Sequence, residues 1–176
     1  MKETIDIIKK QFNAIGSKHD PDNLSWVHVE KNDVVPVLSL MKHQLGFTHF
    51  VLLTVVDWIE DGEFQLNYLL TNHEKHADLA IRCYIPRDNA EMETAHHLWQ
   101  HIATFPREIK EMYGIDFPGS PRVDESFILE GWDEMPPMRR DFDTKKYSEE
   151  TYFPRPRPES KDPQEHMKQK MYPDEE

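Results

Sequence analysis

Three groups of side chains in this chain have types and spacings that could do chemistry. The first is Glu93, His97 and His101, at i, i+4 and i+8. On a helix these positions share one face, and two histidines a turn apart with a carboxylate a turn earlier can hold a divalent metal. A third strong ligand and an HExxH arrangement are missing, so a solvated helix face is the reading the set favours. The second group is Arg107-Glu108-x-x-Glu111. Paired carboxylates can perform acid–base work when buried, and Arg107 sits one turn before Glu111, within reach of an ion pair. No nucleophile, phosphate-binding glycine loop or substrate-anchoring cluster accompanies them. A structural charge network, within the domain or across an interface, fits them better. The third group is Pro136-Pro-Met-Arg-Arg-Asp-Phe142. Arg139 and Arg140, followed by Asp141, suit bidentate pairing with carboxylates. Met138 and Phe142 give the segment apolar anchors that a solvated linker would not need, which points to docking against a protein.

The elements that must position these residues follow from periodicity. Ile5, Ile8, Phe12 and Ile15 recur at helical spacing, predicting an amphipathic helix over residues 2–15 ended by Gly16, with a polar turn from Ser17 to Asn23. A short strand follows at Trp26. Asn32 or Asp33 can cap a second helix that carries Pro36 in its first turn. Phe47 to Trp58 is an almost unbroken apolar run, the pattern of a strand buried on both faces. Asp61-Gly62 marks a hairpin. Alternation over Phe64–Leu70 and Leu79–Ile85 completes a three-stranded meander, with the Trp26 strand at its edge and the two leading helices on one face. A third helix is expected over residues 91–103, with Ala95, Leu98, Trp99 and Ile102 inward. A fourth begins near Thr104 and stops at Gly114. Beyond Ile115 the chain reads as a Pro-, Gly- and aromatic-punctuated ribbon. The fold class is therefore α+β: a small, mostly antiparallel sheet with helices packed on it (residues 1–118), followed by a long extended C-terminal tail (residues 119–176).

Composition narrows the function classes. The chain has 176 residues and is 38% apolar, and after Leu129 it contains no Leu, Ile, Val or Ala. The core must come from the earlier part, and the remainder is not expected to fold alone. A net charge of −12, from 33 acidic and 21 basic residues, argues against nucleic acid and anionic lipid as partners. The single cysteine, Cys83, excludes an internal disulfide, cannot hold an iron–sulfur cluster alone and reads as a small buried hydrophobe. No secretory h-region opens the chain, and no apolar run approaches the ~20 residues that span a bilayer. A soluble, cytoplasmic protein is expected, brought to any membrane by another subunit. The segment Phe153-Pro-Arg-Pro-Arg-Pro158 reads as semi-rigid and polyproline-like, a strap for a partner.

These same residues carry a family resemblance. The ordered pieces PREIKEMYGIDFPGSP, FIL, a tryptophan and PPMRRDF resemble the 30-kDa subunit family of respiratory complex I (NADH-quinone oxidoreductase) and its counterparts in energy-converting membrane-bound hydrogenases. Arg107, Glu108 and Glu111 match acidic and basic positions of the family signature, and Met112-Tyr113-Gly114-Ile115 match its apolar pair and Gly-Ile. Gly119 and Pro121 match its Gly-His-Pro, Ile128-Leu129 its closing aliphatic pair, and Pro136 with Met138 to Phe142 its Pro-Leu-Arg-Lys-Asp-Phe ending. Upstream, Leu53 to Trp58 and Tyr68 to Leu70 look like the family's core strands. Pro106 stands where the signature has its first Glu, and Ser120 where it has His.

The resemblance implies a non-catalytic subunit in the peripheral arm of a membrane-bound, ion-translocating redox complex. It would have no redox cofactor of its own, iron–sulfur clusters being held by partner subunits. The implied partners are a hydrogenase-like large subunit, an iron–sulfur small subunit and a ferredoxin-like subunit, on the cytoplasmic side of the membrane. Whether the donor is NADH or ferredoxin, and the acceptor a quinone or protons, stays open. In that setting Arg107, Glu108, Glu111, Arg139, Arg140 and Asp141 become an interfacial charge network. Trp132, Met138 and Phe142 become anchors, while Tyr113 and Gly114 shape the end of the helix. A free-standing protein-binding module and a small metal-dependent enzyme using the histidine face are the alternatives.

Overall fold

Alternating apolar residues on three successive segments build the middle and one edge of the sheet. In the computed structural model, which describes residues 1–12, 14–20 and 24–151, these are β3 (His49–Trp58), β4 (Glu63–Asn72) and β5 (Ala77–Pro86). They form an antiparallel meander, with Val55 opposite Leu66 and Leu66 opposite Cys83. The Asp61-Gly62 turn closes the first hairpin, with Gly62 at φ +69°. A short strand β2 (Ser25–His28) joins β5 in parallel, and β1 (Gly16–Lys18) pairs antiparallel with β2. The order is β1-β2-β5-β4-β3, a mixed five-stranded sheet.

One face of this sheet is the core. Phe50, Leu53, Val55, Phe64, Leu66, Tyr68, Ile81, Cys83 and Ile85 point into it and are buried. Ile5 and Ile8 of α1 (Lys2–Phe12) and Val37, Leu38 and Met41 of α2 (Val34–His43) join the same cluster. Ile109 of α3 (Thr104–Tyr113) closes it. Apolar faces brought together from helices and sheet are the main favourable term for a domain of this size.

Several expectations change. The first helix stops at Phe12 rather than Ile15, because the Ile15 N–H donates to the His28 carbonyl at 2.9 Å. That bond leads the chain into β1, in place of the expected polar turn. Asp33 occupies the N-cap of α2 but makes no side-chain cap bond, and a 3₁₀ turn, Lys31–Asp33, precedes it. β3 is an edge strand with one open face, not a strand buried on both: Val51, Val56 and Trp58 are exposed. The helix expected over residues 91–103 does not form. Met92 donates to the Asp116 carbonyl at 2.9 Å, Asp116 donates to that of Ala90 at 2.8 Å, and Trp99 is extended at φ −139°, leaving only a 3₁₀ turn, Gln100–Ala103. The apolar residues still face inward: Ala95, Leu98, Trp99 and Ile102 are buried.

Contacts group Met1–Phe142 into one compact unit, so residues 119–142 pack with the sheet and helices, and a second unit begins at Asp143. In the second, Asp143 caps α4 (Thr144–Thr151), its Oδ1 accepting from the amides of Lys145 (3.1 Å) and Lys146 (3.0 Å). The polyproline-like segment lies outside the described residues.

Candidate functional site: a latched ribbon

Helix α3 is short, with Pro106 tolerated in its first turn and Ile109 and Met112 turned inward. Gly114 ends it at φ +76°, its N–H donating to the Lys110 carbonyl at 2.9 Å. The left-handed conformation alone favours glycine. A Cβ here would also come within 3.1 Å of Pro136 Cγ, so the ribbon passes directly over the helix end.

The charged side of α3 holds that ribbon. Glu111 accepts three consecutive backbone N–H groups, from Phe127 (2.7 Å), Ile128 (2.8 Å) and Leu129 (3.0 Å). Burial pushes its carboxyl up, but the three amides outweigh that and hold it below the ordinary glutamate range. Arg107 does not form the ion pair with Glu111 that the spacing suggests. Its Nη2 donates to the Ser126 carbonyl at 2.6 Å, and its guanidinium lies over the Phe127 ring. Lys110 reaches Asp116 at 2.7 Å and Asp124 at 2.5 Å. Three side chains of one helix thus grip the loop from Asp116 to Leu129. Glu108 and Tyr113 sit beside them: burial raises the Tyr113 phenol, and the charges of Asp57 and Glu108 add to the effect.

A second latch holds the far end. The Met138 N–H donates to the Met112 carbonyl at 3.0 Å. Asp57 on β3 accepts the Arg140 N–H at 2.9 Å and Arg87 Nη2 at 3.1 Å, with Arg87 Nε 2.8 Å from its other oxygen. Arg87 also reaches Asp141 at 2.9 Å, and Arg140 reaches Glu60 at 2.5 Å. Arg139 approaches Asp141 at 3.3 Å and lies over the Phe64 ring. The Trp132 and Phe142 rings are 5.8 Å apart, and the Trp132 indole donates to the Met135 carbonyl at 3.1 Å.

The six residues expected to form the charge network, the three anchors, and Tyr113 and Gly114 at the helix end thus lie on α3, at its glycine stop or on the ribbon. Asp57, Glu60, Arg87, Lys110, Asp116 and Asp124 join them without having been expected from the sequence. Asp57 carries a usable signal: it occupies an inward position of an apolar strand, where a carboxylate requires a partner.

The histidine set fares differently. Without a helix, Glu93, His97 and His101 do not share a face. Glu93 and His97 are exposed, and His101 Nε2 lies 3.2 Å from the Phe50 carbonyl. Among the described residues no group of three or more His, Cys, Asp or Glu side chains is placed to hold a metal. The Cys83 thiol is buried and pushed up to about 12 by that burial, which makes it inert at neutral pH. Among the described residues no helix is long and apolar enough to cross a membrane.

Fold and site together define a class: an α+β domain that folds an extended ribbon onto one helix while leaving the ribbon's large apolar side chains, Ile128 at 67% and Met138 at 55%, exposed. The model of the respiratory-chain NADH dehydrogenase 30 kDa subunit family matches residues 27–148, and the chain belongs to that family. It is 26% identical over 142 residues to the C/D 2 subunit of NADH-quinone oxidoreductase from Aquifex aeolicus, covering 80% of this chain and 24% of that protein. It thus spans about a quarter of the length of the C/D relative. To the C subunit of F(420)H(2) dehydrogenase from Methanosarcina mazei it is 24% identical, covering 66% of this chain and 73% of that protein. Among solved structures, a chain of the membrane-bound sulfane sulfur reductase, an archaeal respiratory membrane complex, superposes with a TM-score of 0.82 at 26% identity. That match covers 92% of this chain and 96% of the other.

Proposed function

We propose that this chain is a structural subunit in the peripheral arm of a membrane-bound, ion-translocating redox complex, without a redox group of its own. It braces the hydrogenase-like large subunit against the subunits that hold iron–sulfur clusters, on the cytoplasmic side, and meets the membrane through them. The observation that carries this reading is the ribbon itself. Two sets of charged latches fix its backbone, so it meets a partner with little further loss of conformational entropy. Its exposed Ile128, Met135 and Met138 gain nothing in the isolated chain and are the anchors that burial against a partner would use. Family membership and the likeness to a chain of an archaeal respiratory membrane complex support the same reading.

The test is to tag the chain in its own organism, extract the membranes in mild detergent and identify the co-purifying proteins by mass spectrometry. A hydrogenase-like large subunit together with iron–sulfur subunits is the expected recovery. Recovery of the chain alone would sink the proposal.

A further inference from the structure

The sheet has a second face that the helices do not cover. Trp26, Leu52, Val56, Trp58, Arg82 and Tyr84 lie on it by strand parity, and none of them packs against the core cluster. Val56 is 39% and Trp58 40% exposed. A solvated sheet face ordinarily carries small polar or charged residues; this one carries two tryptophans, a tyrosine and aliphatics, types that dominate the energetics of protein interfaces. The aromatics are held in place. Gln65 Oε1 accepts from the Trp58 indole and the Tyr84 hydroxyl, both at 3.0 Å, and its Nε2 donates to Asn67 at 2.6 Å.

Arg82 is the exception on this otherwise satisfied face. It sits on β5, the middle strand, with its guanidinium 4.6 Å from the Trp26 ring centroid. Its Nε is shielded from solvent and has no hydrogen-bond partner among the described residues. Its cross-strand neighbours are His28 and Asn67, with Thr54 beyond. The adjacent rows hold Gln65 with Tyr84, and Leu69 with Ala80 and Trp26. None of these is a carboxylate; the nearest acids on this side, Glu30 and Glu63, lie beside His28 and Tyr84 and make no ion pair with Arg82 among the described residues. Burial pulls the guanidinium below its usual range with no carboxylate raising it again. A half-buried cation against the Trp26 ring is costly without a counter-charge and is offset by one anion.

We propose that this open face docks a segment of a partner protein that places one Asp or Glu carboxylate on Arg82 and apolar side chains against Val56 and Trp58. This interface is separate from the ribbon, which binds the Asp57 and Phe64 side of the sheet.

Replacing Val56 with photo-reactive p-benzoylphenylalanine in the tagged full-length chain, irradiating membranes of the native host and sequencing the adduct by mass spectrometry tests it. The expected product is one dominant cross-linked peptide from another protein, with Asp or Glu beside the cross-linked residue. Its yield should fall about tenfold or more with Arg82→Met. Arg82→Glu should be rescued by Lys at the partner's acid. Thr54→Glu, at an exposed edge position, should lower the yield equally and guards against a folding defect in the Arg82 variants. Four outcomes overturn the proposal: no protein adduct, an adduct within this chain, an adduct peptide lacking an acid, or a yield indifferent to Arg82→Met. Absence of any Val56 adduct when Arg82 and Thr54 are unchanged and the complex is intact refutes this interface and leaves the ribbon reading standing.

Discussion

At the scale of single residues, Glu111 is the best-defined part of the site. One carboxylate satisfies three successive amides, which a neutral amide side chain, with a single acceptor oxygen, cannot reproduce. Glu111→Gln should cost about 1–2 kcal/mol and raise hydrogen exchange selectively at Phe127, Ile128 and Leu129. The pH dependence has a definite sign. Because the bound carboxyl lies below its ordinary value, its stabilisation is complete above the unfolded value of about 4.3. It is lost as pH falls through the lower folded value. Protection of the same three amides should therefore be flat near neutrality and collapse on acidification, and the collapse should be absent in Glu111→Gln. Asp57 makes a stronger case for burial. Its side chain is 2% exposed and that of Arg87 11%. Asp57→Ala leaves Arg87 buried with only Asp141 as a partner and frees the Arg140 amide. Breaking such a pair typically costs roughly 3–5 kcal/mol, measurable as a lower urea midpoint.

At the scale of elements, turn chemistry and strand alternation carry over well from sequence to structure, and helical periodicity does not always. The Asp61-Gly62 hairpin, the three-stranded meander and the glycine stop of α3 each depend on local conformation, which neighbouring residues encode. Residues 91–103 show the opposite case. Their inward apolar residues recur at a helix-like interval, but a strand-like bridge to Asp116 and the bond from the Trp99 indole to the Thr48 carbonyl at 2.8 Å override it. Those partners are distant in the chain, so no local pattern reports them. β3 departs from its expected burial for a related reason: its apolar run does not reveal that it lies at an edge with one face open. Gly114 joins the two levels, since its positive φ is local and its contact with Pro136 is not. Gly114→Ala should cost about 1–2 kcal/mol from backbone strain, with some added disorder at Pro136 that hydrogen exchange at Met138 would register.

At the scale of the whole molecule, the residue types on α3 and the ribbon single out both segments, but nothing in their spacing shows how they meet. Residues 130–142 contain no Leu, Ile, Val or Ala, and they pack within the first unit through charged latches. Charge pairing between residues 80 positions apart, such as Glu60 with Arg140, leaves no periodic trace. The proposed function therefore rests on a ribbon that is ordered before assembly and displays apolar anchors for a partner.

Ile128→Glu tests that claim most directly. The side chain is 67% exposed, so the isolated variant should unfold within about 0.5 kcal/mol of the parent and keep the Glu111 bonds, which use only the Ile128 backbone. Tagged in its own organism, it should recover about a tenth or less of the partner subunits that the parent recovers, a negative charge having been placed where an apolar anchor must be buried. Undiminished recovery of those subunits by a variant of parental stability would contradict a ribbon that anchors a partner.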